Sequence, residues 1–305
     1  MEWENMPDSS NVEDRRGQTY AGGGGGGIPI GGGTGGLGIG AILIILAISY
    51  FTGINPAILF GGAQILAGNG TASYHMPTQQ PPATQAANTS TGGDRQVQLV
   101  RHVLGGTEAV WRKVLPAQKG VQYQNVRLVL YSGATQAGCG GAQAAMGPFY
   151  CPEDKKVYLD LSFFKEMETK YGGGGDFADA YVIAHEIGHH VQDLLGILDK
   201  VDEQKQGLTR SKANALSVRV ELQADCLAGV WANNAGKEWQ GIINADDIQR
   251  AVATAQAIGD DKLQEAARGY AVPDSFTHGS AAMRQKWLTT GLQSGQIDSC
   301  NTFAQ

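Results

Sequence analysis

Apolar residues run without a charged neighbour through residues 37–54, near the front of the chain. These eighteen residues, as a helix, would rise about 27 Å, close to the roughly 30 Å hydrocarbon core of a bilayer. A buried core helix seldom lacks charge on every face, and a secretory signal peptide has its basic region and apolar run closer to the start. The pattern therefore predicts one transmembrane helix over residues 37–54.

The composition of the chain changes at residue 94. The 305 residues include 44 glycines, and no Asp, Glu, Lys or Arg occurs between Gly17 and Gly93. We expect a glycine-rich cytoplasmic leader over residues 1–36 and an interfacial segment with a flexible tether over residues 55–93. Residues 94–305 have mixed charges and enough length for one globular domain.

The distribution of charge predicts an orientation and excludes one class of partner. Arg15 and Arg16 precede the apolar stretch, and no Lys or Arg follows it before Arg95. The positive-inside rule then places the N-terminus in the cytoplasm and the domain on the outer side of a bacterial inner membrane. A net charge of −6 without a basic stripe argues against a nucleic-acid partner.

Periodicity within residues 94–305 predicts a helix-dominated α+β domain with a short sheet. The strands are predicted at 126–131 and 157–161, and the helices at 96–115, 162–171, 176–195, 211–235, 246–258 and 281–292. Gly105 and Gly106 interrupt the first of these helices. Asp176 and Gly196 are the expected N-cap and C-cap of the third.

All four cysteines of the chain lie in this domain. Cys139 and Cys151 flank a glycine-rich loop, which predicts a disulfide between them and leaves Cys226 to pair with Cys300. Disulfides are typical of an extracytoplasmic compartment, and four buried thiols are the alternative. The chain has no CxxC pair, so a metal site built from cysteines is not expected.

The residues that carry chemistry begin with an HExxH motif. His185 and His189 are four residues apart on a predicted helix, so both imidazoles can reach one cation, and Glu186 lies beside the position of an attacking water. The preceding residues are apolar, and unpartnered polar groups buried there would be costly. The motif predicts a zinc hydrolase, and two ordinary core histidines are the alternative. His190 projects about 100° away from His189 and is expected to be structural.

A zinc site needs a third protein ligand, and the second long helix supplies a candidate. Glu221 and Asp225 lie four residues apart among apolar neighbours, which argues against a solvated acidic face. We predict that Glu221 ligates the metal. Asp225 is expected to accept the remaining ring N–H of a ligating histidine and so to fix its tautomer.

These motifs resemble the gluzincin arrangement, in which HExxH is followed by a glutamate with an aspartate four residues on. The chain resembles most closely the bacterial neutral zinc metallopeptidase family, and the shared stretches lie at 11–16, 146–152, 157–161, 184–190, 221–226, 257–261 and 273–279. The resemblance implies a zincin-like fold and a peptidase that acts on proteins or peptides. It also implies that the strand at 157–161 forms an edge to which an extended substrate adds.

A second resemblance concerns His278. Thr277, His278 and Gly279, with Arg284 six residues after the histidine, are similar to the Thr-His-Pro segment and following arginine of membrane-bound gluzincin peptidases, with Gly279 in place of the proline. The resemblance implies that His278 stabilises the oxyanion that forms when water attacks a peptide carbonyl. A loop histidine that only holds backbone is the alternative.

Together, the apolar stretch, the motifs and the resemblance predict a membrane-anchored, zinc-dependent endopeptidase. Zinc would bind to His185, His189 and Glu221, and Glu186 would take the proton of the attacking water. The competing hypothesis is a catalytically inactive binding or scaffold domain in which zinc only joins two helices. A closed site of four protein ligands would favour the scaffold.

Overall fold

The computed structural model describes residues 1–18, 91–171 and 174–304. These residues contain eight α-helices and six short strands. The helices are α1 (Thr91–Lys119), α2 (Ser162–Tyr171), α3 (Asp176–Leu194), α4 (Ile197–Lys205), α5 (Arg210–Glu238), α6 (Ala245–Ala257), α7 (Asp260–Arg268) and α8 (Ala281–Ser294). The prediction of a helix-dominated α+β domain with a short sheet is confirmed. α4 and α7 are absent from the prediction because each is only nine residues long.

The strands are β1 (Val12–Asp14), β2 (Arg127–Tyr131), β3 (Ala134–Ala137), β4 (Gly140–Gln143), β5 (Phe149–Cys151) and β6 (Lys156–Asp160). Four of them form a sheet in the order β1-β2-β6-β5, in which β5 runs antiparallel to β6 and the other pairs are parallel. β3 and β4 form a separate hairpin. The strand predicted at 157–161 therefore lies inside the sheet rather than at its edge. The edge strand β5 has only three residues, too few for a visible alternation.

Residues 1–18 belong to the same compact unit as the helices. β1 pairs with β2, and the side chains of Trp3 and Met6 are buried in the main hydrophobic core. The Ser9 hydroxyl donates to Glu108 Oε1 on α1 at 2.8 Å. The structure thus corrects the predicted start of the domain at residue 94. A short polar segment gives no periodic signal, and its contacts are with residues far along the chain.

α1 passes through Gly105 and Gly106 without a break, contrary to the prediction. An added Cβ at Gly105 would lie 2.0 Å from the carbonyl oxygen of Pro7, and one at Gly106 would lie 2.4 Å from the sulfur of Met6. The two glycines therefore allow the N-terminal segment to pack directly on the helix backbone. The cost of glycine in a helix is offset by this burial.

The predicted transmembrane helix at 37–54 lies outside the described residues and stays a prediction. Among the helices that the structure does describe, none is both long enough and apolar enough to cross a membrane. Residues 1–18 and 91–304 belong to one compact unit. A single crossing at 37–54 would instead place residues 1–18 and 91–304 on opposite sides of a membrane, which does not agree with their packing in one unit.

Candidate metal centre

α3 carries His185, Glu186 and His189 in its buried middle. The helix packs against α1, α5 and β5, and every residue from Ala180 to Gly188 is buried. His185 and Glu186 are each 7% exposed. The two histidine rings are 4.9 Å apart between centroids, the proximity that their one-turn spacing predicts, and they are perpendicular to each other.

α5 brings Glu221 to these histidines. The two helices approach closely at Gly188, where an added Cβ would lie 3.0 Å from the carbonyl oxygen of Ala224. This approach places Glu221 Oε2 3.2 Å from His185 Nε2 and 3.5 Å from His189 Nε2. The glycine inside the HExxH motif therefore has a structural reason, since a side chain there would push the third donor away.

The other ring nitrogens of the two histidines are held by neighbouring side chains. His185 Nδ1 lies 2.9 Å from Asp225 Oδ1, and His189 Nδ1 lies 2.8 Å from Gln192 Oε1. With Nδ1 donating in each case, both Nε2 atoms are left to face Glu221. Asp225 thus lies where the sequence places it. Gln192, which is fully buried, was missed, and its position three residues after His189 was the only signal that the sequence offered.

The geometry fits a zinc ion. The donor atoms of His185, His189 and Glu221 all lie within 4.8 Å of one another. Zinc binds nitrogen and oxygen at about 2.0–2.2 Å, so two ligands of a tetrahedral ion are about 3.3–3.6 Å apart. The two nitrogen–oxygen distances of 3.2 and 3.5 Å agree with this spacing. Two imidazoles with one carboxylate are also a donor set that zinc prefers.

The carboxylates of the cluster stabilise positive charge on its histidines. Burial alone would lower the pKa of His185, but hydrogen bonds to Asp225 and Glu221 outweigh it and raise that pKa to about 10. Burial would raise the pKa of Glu221, yet the charge of His189 and hydrogen bonds from both histidines hold it well below its usual value. A cation that binds here has to displace a proton from the histidines, so its affinity rises with pH.

Asp225 lies behind His185 in a network of buried polar side chains. The hydroxyl of Tyr181 donates to Asp225 Oδ1 at 2.6 Å, and Arg284 donates to both carboxylate oxygens. Arg284 also donates to the hydroxyl of Tyr181 at 3.0 Å. The resemblance pairs Arg284 with His278, whereas its hydrogen bonds are to the carboxylate that orients a histidine of the metal cluster.

His278 reaches the same cavity from the loop before α8. The cavity has a volume of about 440 Å³, and its polar lining includes His185, Glu186, His189, Glu221 and His278. The side chain of His278 is 52% exposed and is not part of the donor cluster. Gly279 has a φ of +97°, which proline cannot adopt, and this explains the glycine at that position.

His190 joins α3 to the edge strand, in agreement with its expected structural role. Its Nε2 lies 2.7 Å from the carbonyl oxygen of Gln124, and its Nδ1 lies 3.1 Å from the hydroxyl of Tyr150 on β5. The same hydroxyl donates to Asp193 Oδ2 at 2.7 Å. These contacts hold β5 beside the cavity, which Tyr150 also lines.

Both predicted disulfides are present. Cys139 in the β3–β4 hairpin is bonded to Cys151 on β5, and Cys226 on α5 is bonded to Cys300. Cys226 directly follows Asp225, so the second bridge fastens the end of the domain to the helix that carries Glu221. The alternative of four buried thiols is thereby wrong for this structure.

The family model described as "Putative neutral zinc metallopeptidase" matches residues 1–303 of this chain. The chain belongs to this family. The match extends over residues 1–18, in keeping with their place in the domain. The family description implies zinc as the metal of the cluster on α3 and α5.

Relatives match the chain along most or all of its length. "Uncharacterized protein YpfJ" of Escherichia coli (strain K12) is 42% identical over 305 residues, which is 100% of this chain and 99% of the relative. "Uncharacterized protein Rv2575" of Mycobacterium tuberculosis (strain ATCC 25618 / H37Rv) is 43% identical over 235 residues, 73% of this chain and 77% of the relative. No solved structure matches the chain significantly.

Proposed function

We propose that this chain is a zinc-dependent endopeptidase. The observation that carries the proposal is the place of Glu186, a buried carboxylate that lines the open cavity beside His185 and His189 but stays outside the donor cluster. Among the described residues that cluster has three protein donors, the number typical of catalytic zinc sites, whereas structural sites have four. The competing scaffold hypothesis gives Glu186 no purpose.

Each residue of the site has its own role in the proposed hydrolysis. His185, His189 and Glu221 would hold zinc, which when bound supplies a Lewis acid for the scissile carbonyl and lowers the pKa of a water. Glu186 takes the proton of the attacking water and passes it to the leaving amine. Asp225 keeps the ring of His185 in the orientation that directs Nε2 to the metal position.

His278 is the proposed donor to the oxyanion. Its ring lines the cavity without belonging to the donor cluster, so it is available to a substrate. A positioned donor at the carbonyl oxygen typically contributes about 10²–10³-fold to kcat. We therefore assign His278 to transition-state stabilisation rather than to metal binding.

We further propose that the substrate is an extended peptide segment with apolar side chains. β5 is an edge strand of the sheet beside the cavity, and an edge strand can add a peptide as a further strand. Apolar residues line the same cavity as the metal cluster: Met146, Phe149, Phe163, Leu198, Ile258 and Leu263. Cavity walls of this kind favour apolar side chains near the scissile bond.

The test compares the parent chain with Glu186→Gln, both loaded with zinc, on a library of proteome-derived peptides. We expect the parent to cleave within peptides, with apolar residues next to the cut. Glu186→Gln should keep one zinc per chain and lose hydrolysis by about 10²-fold or more, the contribution of a general base. Glu203→Gln, on the exposed face of α4, is the matched control. Equal activity of Glu186→Gln and the parent, or no cleavage by the zinc-loaded parent, contradicts the proposal.

A further inference from the structure

The loop that carries His278 is built around one carboxylate, that of Asp260. Three successive backbone N–H groups, those of Thr277, His278 and Gly279, donate to Asp260 Oδ2 at 2.7, 2.7 and 3.0 Å. In return the backbone N–H of Asp260 donates to the carbonyl oxygen of Gly279 at 2.9 Å. Hydrogen bonds to an ionised carboxylate are stronger than neutral ones, so one side chain sets the path of the loop.

The second oxygen of the same carboxylate faces the His278 ring. Asp260 Oδ1 lies 3.4 Å from His278 Nδ1, and the hydroxyl of Thr277 lies 3.1 Å from the same nitrogen. Both contacts engage Nδ1, which leaves Nε2 as the ring nitrogen for a substrate in the cavity. Burial would raise the pKa of Asp260, but its hydrogen bonds from His278 hold that pKa below the ordinary value, so the carboxylate is charged at neutral pH.

Asp260 is in turn connected to the metal cluster. Arg284 Nη1 donates to the carbonyl oxygen of Ile258, two residues before Asp260, at 3.3 Å. The same guanidinium holds Asp225, which orients His185. Asp260 itself is only 8% exposed. The guanidinium of Arg284 therefore contacts both the backbone just before Asp260 and the carboxylate that orients His185.

We propose that Asp260 is the positioning residue of His278, holding the loop and the ring so that Nε2 meets the oxyanion in the cavity. The inference rests on the proposed peptidase function. A simpler role for Asp260, as the first residue of α7, would be to face the N–H groups of its own helix. The hydrogen bonds described above show its oxygens facing the histidine loop instead.

The test is a double-mutant cycle on the full zinc-loaded chain, with Asp260→Asn, His278→Ala and both together. Peptide hydrolysis gives kcat and KM, and zinc content is measured for each variant. We expect Asp260→Asn to lower kcat about ten- to a hundred-fold with KM and zinc content little changed, since a misplacement of about 1 Å has such an effect. When His278 is already alanine, adding Asp260→Asn should change kcat by less than about two-fold. Asp261→Asn is the matched control, because Asp261 accepts from the N–H of Ala281, outside the histidine loop.

Equal losses with and without His278 would show that Asp260 acts elsewhere and would overturn the proposal, as would full activity of Asp260→Asn. Where Asp260→Asn does not fold, Asp260→Glu takes its place in the cycle, since it keeps the charge and moves it by one methylene. A crystal structure of the variant gives a readout apart from activity. A displaced His278 ring is expected, and an unmoved ring overturns the inference. If the parent cleaves no peptide while the ring moves, the peptidase proposal fails and the positioning role stands.

Discussion

The guanidinium of Arg284 holds the carboxylate of Asp225 through two parallel hydrogen bonds, from Nε to Oδ2 and from Nη2 to Oδ1, each 2.9 Å long. Asp225 is 0% and Arg284 4% exposed, so the pair is shielded from water. Burial would raise the pKa of Asp225, but the charge of Arg284 and the hydrogen bond with His185 hold it well below its ordinary value. The negative charge that orients His185 is thus maintained by an arginine on another helix.

Removal of Arg284 takes away the guanidinium that makes two hydrogen bonds to this buried charge. We expect Arg284→Met to lower the free energy of unfolding by about 3–5 kcal/mol, the usual result of breaking a buried ion pair from one side. Urea denaturation measures the loss. The combination of Arg284→Met with Asp225→Asn should be more stable than Arg284→Met alone, since the side chain that loses its guanidinium is then neutral. A double variant no more stable than the single one would contradict this account.

A second prediction concerns the affinity for zinc. Asp225→Asn keeps the size of the side chain but removes the charge that faces His185 Nδ1. Partners of this kind typically contribute about 10- to 100-fold to metal affinity, so the dissociation constant should rise by that factor. Competition with a chromophoric chelator measures it. Asp199→Asn, at an exposed position on α4, is the control and should bind zinc like the parent. An unchanged affinity of Asp225→Asn would show that His185 is oriented without it.

The donor cluster could be predicted from the sequence because its spacing is local. His185 and His189 are one helical turn apart, and Glu221 and Asp225 are again four residues apart, so helix geometry alone places each pair on one face. The apolar residues around both pairs predicted that the two helices are buried. Buried polar side chains need hydrogen-bond partners. The histidine pair on one helix and the carboxylate pair on the other can satisfy each other.

The contacts between distant segments could not be predicted in this way. Arg284 and Asp260 are single polar residues whose partners lie on other elements, and no periodic pattern distinguishes them from surface positions. Trp3 and Met6 lie in a short polar segment, and most of the leader separates them in sequence from the core residues that they contact. Helical periodicity reports the contacts within an element, whereas these residues act between elements.

The disulfides are predicted to contribute unequally to stability. The Cys226–Cys300 bridge spans a separation of 74 residues, and the Cys139–Cys151 bridge spans 12. Replacement of Cys226 and Cys300 by serine should lower the free energy of unfolding by about 2–5 kcal/mol, with a smaller loss for the other pair, because a longer loop gains more entropy on unfolding. Urea denaturation of both double variants measures this. A larger loss for the short loop would contradict the loop-entropy argument.

The pH dependence of stability should reveal Asp179, one turn into α3. Burial, with the nearby charges of Asp176 and Glu168, raises its pKa from 3.8 to about 8. The folded state then binds this proton more tightly than the unfolded state, so stability is fully present below about pH 4 and falls as pH rises toward 8. Asp179→Asn should therefore raise Tm at pH 8.5 by about 3 °C or more and change it little at pH 4. An equal shift at both pH values would exclude a titration effect.

Residues 1–18 and the helical part of the domain are predicted to occupy the same compartment, because β1 is a strand of the sheet and Trp3 lies in the core. Ser10 and Ser211 are exposed, one in each part, and all four cysteines of the chain are in disulfides. Ser10→Cys and Ser211→Cys therefore each introduce one free thiol. In intact spheroplasts of a bacterium that produces the chain, a membrane-impermeant maleimide should label both variants or neither. Labelling of only one would mean that a membrane separates the two parts, and this fold could not then form.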